Sequence, residues 1–178
     1  MAFGLENLGM IHEEINKIVD KSLEIVNLSE YKTHLTNKLS GGQKQRLAIA
    51  GILAMNPKYI IFDEATSMID KTGRTEILNT IKELNKNNIT IILITHNMEE
   101  VAFADRVIAM NNGKIVLQGN ASEIFENISL LKELELDIPL CTELIHELKE
   151  AGIDLPVDNV LTCDECVDIL FNLMYIEH

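Results

Sequence analysis

The sequence predicts an α/β fold built on a mostly parallel sheet flanked by helices. Two observations predict it: residues 59–62 and 89–95 are continuous apolar runs of strand length, and stretches with helical spacing follow each of them. Strands that are apolar throughout and alternate with helices are typical of parallel sheets covered on both faces. We therefore expect helices on both faces, and a binding site beyond the carboxyl ends of the strands.

Three helices are predicted around these strands. Residues 10–28 carry apolar side chains at helical spacing, and residues 42–55 form a second helix. That helix ends before Pro57, because proline disfavours a helical residue before it and has no N–H to donate. The third helix has an apolar face made of Ile77, Leu78, Ile81 and Leu84.

Local signals define the segments after residue 95. Asn97 is the expected cap of a short helix, with Glu100 as its capping-box partner. Residues 107–110 and 114–118 are apolar runs on either side of Asn-Asn-Gly at 111–113, which predicts a hairpin.

The charge of the chain is concentrated at one end. The 178 residues carry a net charge of −13, and residues 121–178 account for −12 of it, with 2 Lys/Arg against 14 Asp/Glu. An acidic chain with 4% aromatic residues and no Trp is a poor binder of nucleic acid, so we expect no nucleic-acid partner. No apolar run reaches the length of a membrane span and no signal peptide is evident, so membrane association is expected only through a partner protein.

Two local patterns point to phosphate chemistry. Asp63 and Glu64 end an apolar strand, where a hard cation such as Mg²⁺ would compensate their charge and a second carboxylate could orient or deprotonate a water. Ser40, Gly41 and Gly42 precede a helix, whose unpaired N–H groups favour an anion. Each pattern also has a simpler interpretation: two acids that start a solvated loop, and an ordinary Ser N-cap.

A family resemblance joins these patterns. Leu39-Ser40-Gly41-Gly42-Gln43 matches the signature motif of ATP-binding cassette (ABC) proteins at all five positions. Residues 59–64 resemble the Walker B strand, residues 67–70 the D-loop, and His96 the switch histidine. The resemblance implies a partial ABC-ATPase fold of the P-loop NTPase type, which includes part of the helical signature subdomain.

In this family two ATPases pair head to tail around two ATP molecules, which implies a role for each matching residue. The signature residues Ser40, Gly41, Gly42 and Gln43 would contact the γ-phosphate of ATP held by the partner.

The Walker B, D-loop and histidine residues, which follow the strand ends, would form the rest of the ATP site. Asp63 would hold Mg²⁺ through water, and Glu64 would be the general base or water-positioning residue. His96 would contact the γ-phosphate, and Asp70 would lie at the dimer interface.

The sequence departs from the family pattern in two respects. Ala65 stands where proline often follows the Walker B glutamate, which leaves the assignment of Glu64 intact. No Gly-x-x-x-x-Gly-Lys-Ser/Thr phosphate-binding loop occurs in the 178 residues. We therefore expect the chain alone to bind ATP poorly and not to hydrolyse it, and we expect the exposed sheet around Ile60 and Ile92 to favour a dimer or a rearranged sheet.

Residues 2–9, 113–115 and 119–125 resemble the ATPases of energy-coupling factor (ECF) importers, whose substrates include cobalt, nickel and B vitamins. This resemblance implies a cytoplasmic subunit at the membrane face, a second ABC ATPase and a transmembrane coupling protein as partners. It implies three regions: residues 1–56 with the signature motif, residues 57–120 with the Walker B, D-loop and histidine segments, and an acidic, mostly helical extension at 121–178.

Two other functional classes compete with this interpretation. The chain could be a non-catalytic interaction or dimerisation module, since it lacks the phosphate-binding loop. An ABC ATPase of DNA repair is disfavoured, because those proteins carry long coiled-coil insertions and none is present here.

The three cysteines indicate a reducing cytosol rather than a disulfide scaffold. Cys163 and Cys166 form a C-x-x-C, which could indicate zinc or a redox pair. No second ligand pair with suitable spacing is present, so an amphipathic helix is the favoured interpretation of this segment.

Overall fold

The computed structural model of the protein describes residues 1–155 and 160–176, with side chains up to residue 174. The chain divides into two compact units, Met1–Ile94 and Thr95–His178. The three-region division at 56 and 120 stays a prediction.

The first unit contains four helices and two strands. They are α1 (Ala2–Asn7), α2 (His12–Ile25), α3 (Gly41–Leu53), β1 (Tyr59–Asp63), α4 (Lys71–Lys86) and β2 (Thr90–Ile94), with short 3₁₀ turns at Ser29–Tyr31 and Thr36–Lys38. The three predicted helices and both predicted strands are therefore confirmed, and the ends that were predicted move by at most three residues.

The two strands form a parallel sheet with one buried face. Tyr59 of β1 lies opposite Thr90 of β2, and Asp63 lies opposite Ile94, so both carboxyl ends are at the same edge. Along β1, Ile60 and Phe62 are buried. They share a core with apolar residues of the helices α2, α3 and α4 and with the residue that follows α2: Leu23, Val26, Ile49, Ala50, Ile77, Ile81 and Leu84.

The prediction that helices cover both faces of the sheet is wrong for this unit. Ile61 is 62% exposed and Ile92 is 49% exposed, because they point away from the helices. The expected exposed surface around Ile60 and Ile92 is formed by Ile61 and Ile92, whereas Ile60 itself is 3% exposed and lies in the core. Side chains alternate between the two faces of a strand, so a single covering layer buries every second residue.

The second unit begins with the short helix α5 (Met98–Val101), followed by β3 (Val107–Asn111) and β4 (Lys114–Gly119). The predicted hairpin is confirmed: the strands are antiparallel, and Asn112 and Gly113 have φ of 49° and 73°. Two successive positive φ angles are those of the turn that Asn-Gly favours.

Among the described residues, four further helices follow the hairpin: α6 (Ala121–Phe125), α7 (Ile128–Glu133), α8 (Leu140–Glu150) and α9 (Cys163–Ile176). They agree with the predicted helical character of this acidic region, of which residues 156–159 and 177–178 lie outside the described residues. Of the helices within the described ranges, none is long and apolar enough to cross a membrane.

Candidate functional site

The signature segment forms the capped N-terminus of α3. The Ser40 hydroxyl accepts a hydrogen bond from the Gln43 N–H at 3.2 Å, and the Ser40 N–H donates to Gln43 Oε1 at 2.9 Å. This reciprocal pair is a capping box, and it satisfies two donors at the start of α3. The simpler interpretation of Ser40 as an N-cap is therefore confirmed.

The capping role leaves Ser40 able to bind a phosphate. Its oxygen accepts one bond from Gln43, whereas its own O–H hydrogen is still available to donate. Ser40 and Gly41 are both exposed at the helix N-terminus, where the dipole of the 13-residue α3 favours negative charge. The contact of residues 40–43 with ATP stays a prediction.

The two signature glycines have different surroundings. A Cβ atom on Gly42 would lie 3.1 Å from the Gly73 Cα of α4 and 3.8 Å from the Ile69 side chain, whereas a Cβ on Gly41 would meet nothing within 4 Å. Gly42 therefore lets the backbones of α3 and α4 approach closely. Gly41 alone has open space in front of it.

We expect Gly42→Ala to destabilise the chain by about 1–3 kcal/mol, because the added methyl group forces α3 away from the backbone of α4. Gly41→Ala is the matched control and is expected to be neutral or stabilising by up to about 1 kcal/mol, since alanine favours a helix and no atom obstructs it. Urea unfolding followed by circular dichroism measures both. Equal free energies of unfolding for the two variants would contradict the close approach.

An ion pair between the buried Arg46 and the half-exposed Glu76 links these two helices, and it was not predicted from the sequence. Arg46 of α3 is buried, and its Nη2 lies 2.9 Å from Glu76 Oε2 of α4, while its Nη1 donates to the Val26 carbonyl at 3.2 Å. The position of Arg46 in the sequence could have indicated its burial, because Arg46 shares a helix face with Gly42 and Ile49 at spacings of four and three. The pair holds α3 in register with α4.

The acid pair lies at the carboxyl end of β1, as predicted. Asp63 is the last residue of the strand, Glu64 follows it, and both side chains are exposed. Glu64 has a φ of 46°, a left-handed conformation that costs a residue with a Cβ about 1–3 kcal/mol.

Neighbouring groups fix this unusual backbone. The Glu64 N–H donates to the Ile94 carbonyl at 2.9 Å, and the Glu64 carbonyl accepts from the Ser67 N–H at 3.2 Å and the Ser67 hydroxyl at 2.9 Å. Glu64 is therefore set in one orientation at the edge where β1 and β2 both end.

The predicted D-loop connects the acid pair to α4. Asp70 is the exposed N-cap residue of α4, and Met68 is 97% exposed. Ile69 instead turns inward and packs on the core of the first unit, next to Gly42. The signature turn and the segment that follows the acid pair are thus in contact, whereas the place of Asp70 in a dimer interface stays a prediction.

His96 follows β2 by two residues and belongs to the second unit. Its side chain is exposed in a turn that two neighbours define: the Asn97 N–H donates to Thr95 Oγ1 at 3.0 Å, and the Asn97 side chain accepts from the Glu99 N–H at 3.0 Å. Asn97 is therefore the helix cap that the sequence predicted, although its bond goes to Glu99 rather than Glu100. The contact of His96 with the γ-phosphate stays a prediction.

The residues at the strand end fit a magnesium ion that arrives with a nucleotide. Across residues 1–155 and 160–176, no group of three or more His, Cys, Asp or Glu is arranged to hold a metal by itself. Mg²⁺ usually takes one or two carboxylates together with waters and substrate phosphates, and the exposed carboxylate of Asp63 offers such a ligand.

Comparison with known proteins gives the same family as the motifs. A family model described as ABC transporter matches residues 4–67. The chain is 54% identical over 174 residues to the energy-coupling factor transporter ATP-binding protein EcfA1 of Clostridium novyi (strain NT), covering 97% of this chain and 62% of that protein. It is 53% identical over 171 residues to EcfA1 of Caldanaerobacter subterraneus subsp. tengcongensis, covering 96% and 61%.

A solved structure supports the same family assignment. The structure of cbiO1 from Clostridium perfringens, described as part of the ABC transporter complex cbiONQ, superposes with a TM-score of 0.68 at 37% identity, covering 84% of this chain and 59% of that one. The chain belongs to the ATP-binding family of ABC transporters. The two EcfA1 relatives are ATP-binding proteins of energy-coupling factor transporters. The chain spans 62% and 61% of their lengths.

Proposed function

We propose that this chain supplies the signature, Walker B, D-loop and histidine segments of an ATP-hydrolysing subunit of an ECF-type importer. The whole protein would pair with a second ABC ATPase on a transmembrane coupling protein, at the cytoplasmic face of the membrane. ATP hydrolysis there would drive uptake of cobalt, nickel or a vitamin. The similarity to EcfA1 proteins and to cbiO1 supports this transport role.

The proposal depends most on the backbone conformation and the exposure of Glu64. A glutamate held at a φ of 46° by three backbone and hydroxyl hydrogen bonds, with its carboxylate exposed at the end of β1, is oriented by the fold rather than by its own preference. Strained residues of this kind cluster at functional sites. Here the strained residue directly follows Asp63, the candidate magnesium ligand, in the sequence.

The chain's own residues would divide the work of phosphoryl transfer. Bound Mg²⁺ would neutralise phosphate charge, and Asp63 would hold it. Glu64 would accept a proton from the attacking water or orient it, and His96 would hold the γ-phosphate. Residues 40–43 would close the partner's site with the helix N-terminus and the Ser40 hydroxyl, since such catalysis is mainly positioning and charge stabilisation.

A fusion protein tests this proposal. The segment of the Clostridium novyi relative that precedes the matched region, which is expected to carry the phosphate-binding loop, is joined to residues 1–178. The fusion is expected to release phosphate from Mg-ATP, whereas residues 1–178 alone are not, because the loop that cradles the β- and γ-phosphates is not among them.

A second variant tests the signature turn in the same fusion. Ser40→Asp keeps a good N-cap residue but adds a negative charge where the γ-phosphate would lie, so turnover should fall while stability is retained. Turnover of Mg-ATP by residues 1–178 alone, or full turnover by the Ser40→Asp fusion, would contradict the composite site.

A further inference from the structure

All three cysteines of the chain meet where α8 and α9 pack together. Cys141 is the second residue of α8, Cys163 is the first residue of α9, and Cys166 lies one turn later. The Sγ atoms of Cys141 and Cys163 are 3.2 Å apart, although the residues are 22 positions apart in the sequence. The cluster plays no part in the proposed ATP chemistry.

The three thiols differ in their access to solvent. Cys141 and Cys166 are buried in an apolar cluster with Ile145, Leu155 and Val160, whereas Cys163 is exposed. Burial, together with the hydrogen bond to Cys163, raises the pKa of Cys141 to about 12, so Cys141 is held as a neutral thiol. An external reagent can therefore reach Cys163 first, with Cys141 directly behind it.

Hydrogen bonds fix the two helices in this arrangement. The Thr142 hydroxyl of α8 donates to the Val160 carbonyl, which ties α8 to the segment just before α9. At the start of α9, the Glu165 carboxylate accepts from the N–H groups of Leu161 and Thr162 at 3.0 and 3.2 Å, and Thr162 Oγ1 accepts from the Glu165 N–H at 3.3 Å. The position of Cys163 relative to Cys141 is thus set by the fold.

We propose that Cys141 and Cys163 form a reversible disulfide that links α8 to α9 when the thiol–disulfide balance becomes oxidising. The oxidant is a low-molecular-weight disulfide of the glutathione class. The Cys163 thiolate attacks one of its sulfur atoms, and one small thiol leaves with a proton. Cys141 then attacks the Cys163 sulfur as its proton passes to the second small thiol, which leaves. Two protein thiols are oxidised and one small disulfide is reduced to two thiols.

Three arrangements compete with this bond. Cys163 and Cys166 could pair within α9, as the C-x-x-C spacing suggests, Cys141 could pair with Cys166, to which it is also hydrogen-bonded, or Cys163 could stop at the mixed disulfide. The 3.2 Å separation of the Cys141 and Cys163 sulfurs favours the bond between the helices. The bond closes a loop between residues 141 and 163, so it removes freedom from the unfolded chain and should raise the melting temperature of this helix pair.

The test uses the purified 178-residue chain equilibrated in mixtures of reduced and oxidised glutathione, then trapped with an alkylating reagent and mapped by mass spectrometry. We expect one linked peptide pair containing Cys141 and Cys163, with Cys166 alkylated, and a higher melting temperature that dithiothreitol reverses. A dominant Cys163–Cys166 link, a persistent glutathione adduct on Cys163, or three alkylated cysteines throughout the oxidising range would overturn the proposal.

Variants separate the chemistry from effects on folding. Cys163→Ser replaces an exposed thiol and should leave Cys141 and Cys166 alkylated after oxidation, with an unchanged far-ultraviolet circular dichroism spectrum. Cys166→Ala is the matched control and should still give the linked pair. Loss of the pair in a folded Cys166→Ala chain would also overturn the proposal, because Cys166 would then be one of the bonded thiols.

Discussion

Glu64→Gln in the fusion protein should lower the turnover of Mg-ATP by a factor of about 10² to 10⁴, the range that general acid–base catalysis contributes. Glutamine has the same shape as glutamate, so it can keep the left-handed backbone at residue 64 and the bonds to Ile94 and Ser67. What it loses is the carboxylate that would accept a proton from water. The measurement is steady-state phosphate release at saturating Mg-ATP.

A second glutamate provides the matched control. Glu83 lies in α4, with its carboxylate 2.7 Å from Lys86 Nζ on the exposed side of the helix. Glu83→Gln makes the same change of charge and should leave turnover unchanged, because exposed ion pairs of this kind contribute little.

Nucleotide binding distinguishes a chemical role of Glu64 from a role in folding. The Glu64→Gln fusion should still bind ATP and should melt at the same temperature as the parent, since the backbone bonds are retained. Turnover within a factor of about two of the parent would show that Glu64 is not the base, because far larger losses follow from removal of a general base. Loss of ATP binding together with turnover would assign Glu64 to the nucleotide pocket instead.

Local signals in the sequence predicted the helices α2 to α5 and the strands β1 to β4, whereas α1 and the capped helix α6 were not predicted. The cap at Ser40, the hairpin at Asn112 and Gly113, and the strand that ends at Asp63 each depend on residues within a few positions. Tertiary context did not override them, because turn and cap chemistry is decided by local backbone geometry.

Features that depend on contacts between distant segments could not be predicted in this way. Nothing near residue 42 indicates that Gly73 packs against it, and nothing near residue 163 indicates that Cys141 lies 3.2 Å away. The C-x-x-C pattern directed attention to Cys163 and Cys166, whereas packing of α8 on α9 brought in the third thiol. The sheet shows the same limit, since an apolar run does not reveal which of its faces a helix covers.

Substitutions at two neighbouring residues of β1 test which face of the sheet the helices cover. Ile60→Ala should destabilise the first unit by about 2–5 kcal/mol, because it removes a side chain that is 3% exposed and leaves a cavity among α2, α3 and α4. Ile61→Ala makes the same change one residue further along, where the side chain is 62% exposed, and should cost about 0.5 kcal/mol or less. Urea unfolding at one protein concentration gives the difference.

The same pair of variants, compared at two protein concentrations, tests the prediction that the exposed sheet favours association. If copies of the chain pair through the face of Ile61 and Ile92, then Ile61→Ala removes apolar contacts between the copies. Its cost should then rise with protein concentration, because binding between copies stabilises the folded state by mass action. The cost of Ile60→Ala should not change, because its contacts lie within one chain. Equal costs of Ile61→Ala at both concentrations would argue against pairing through this face.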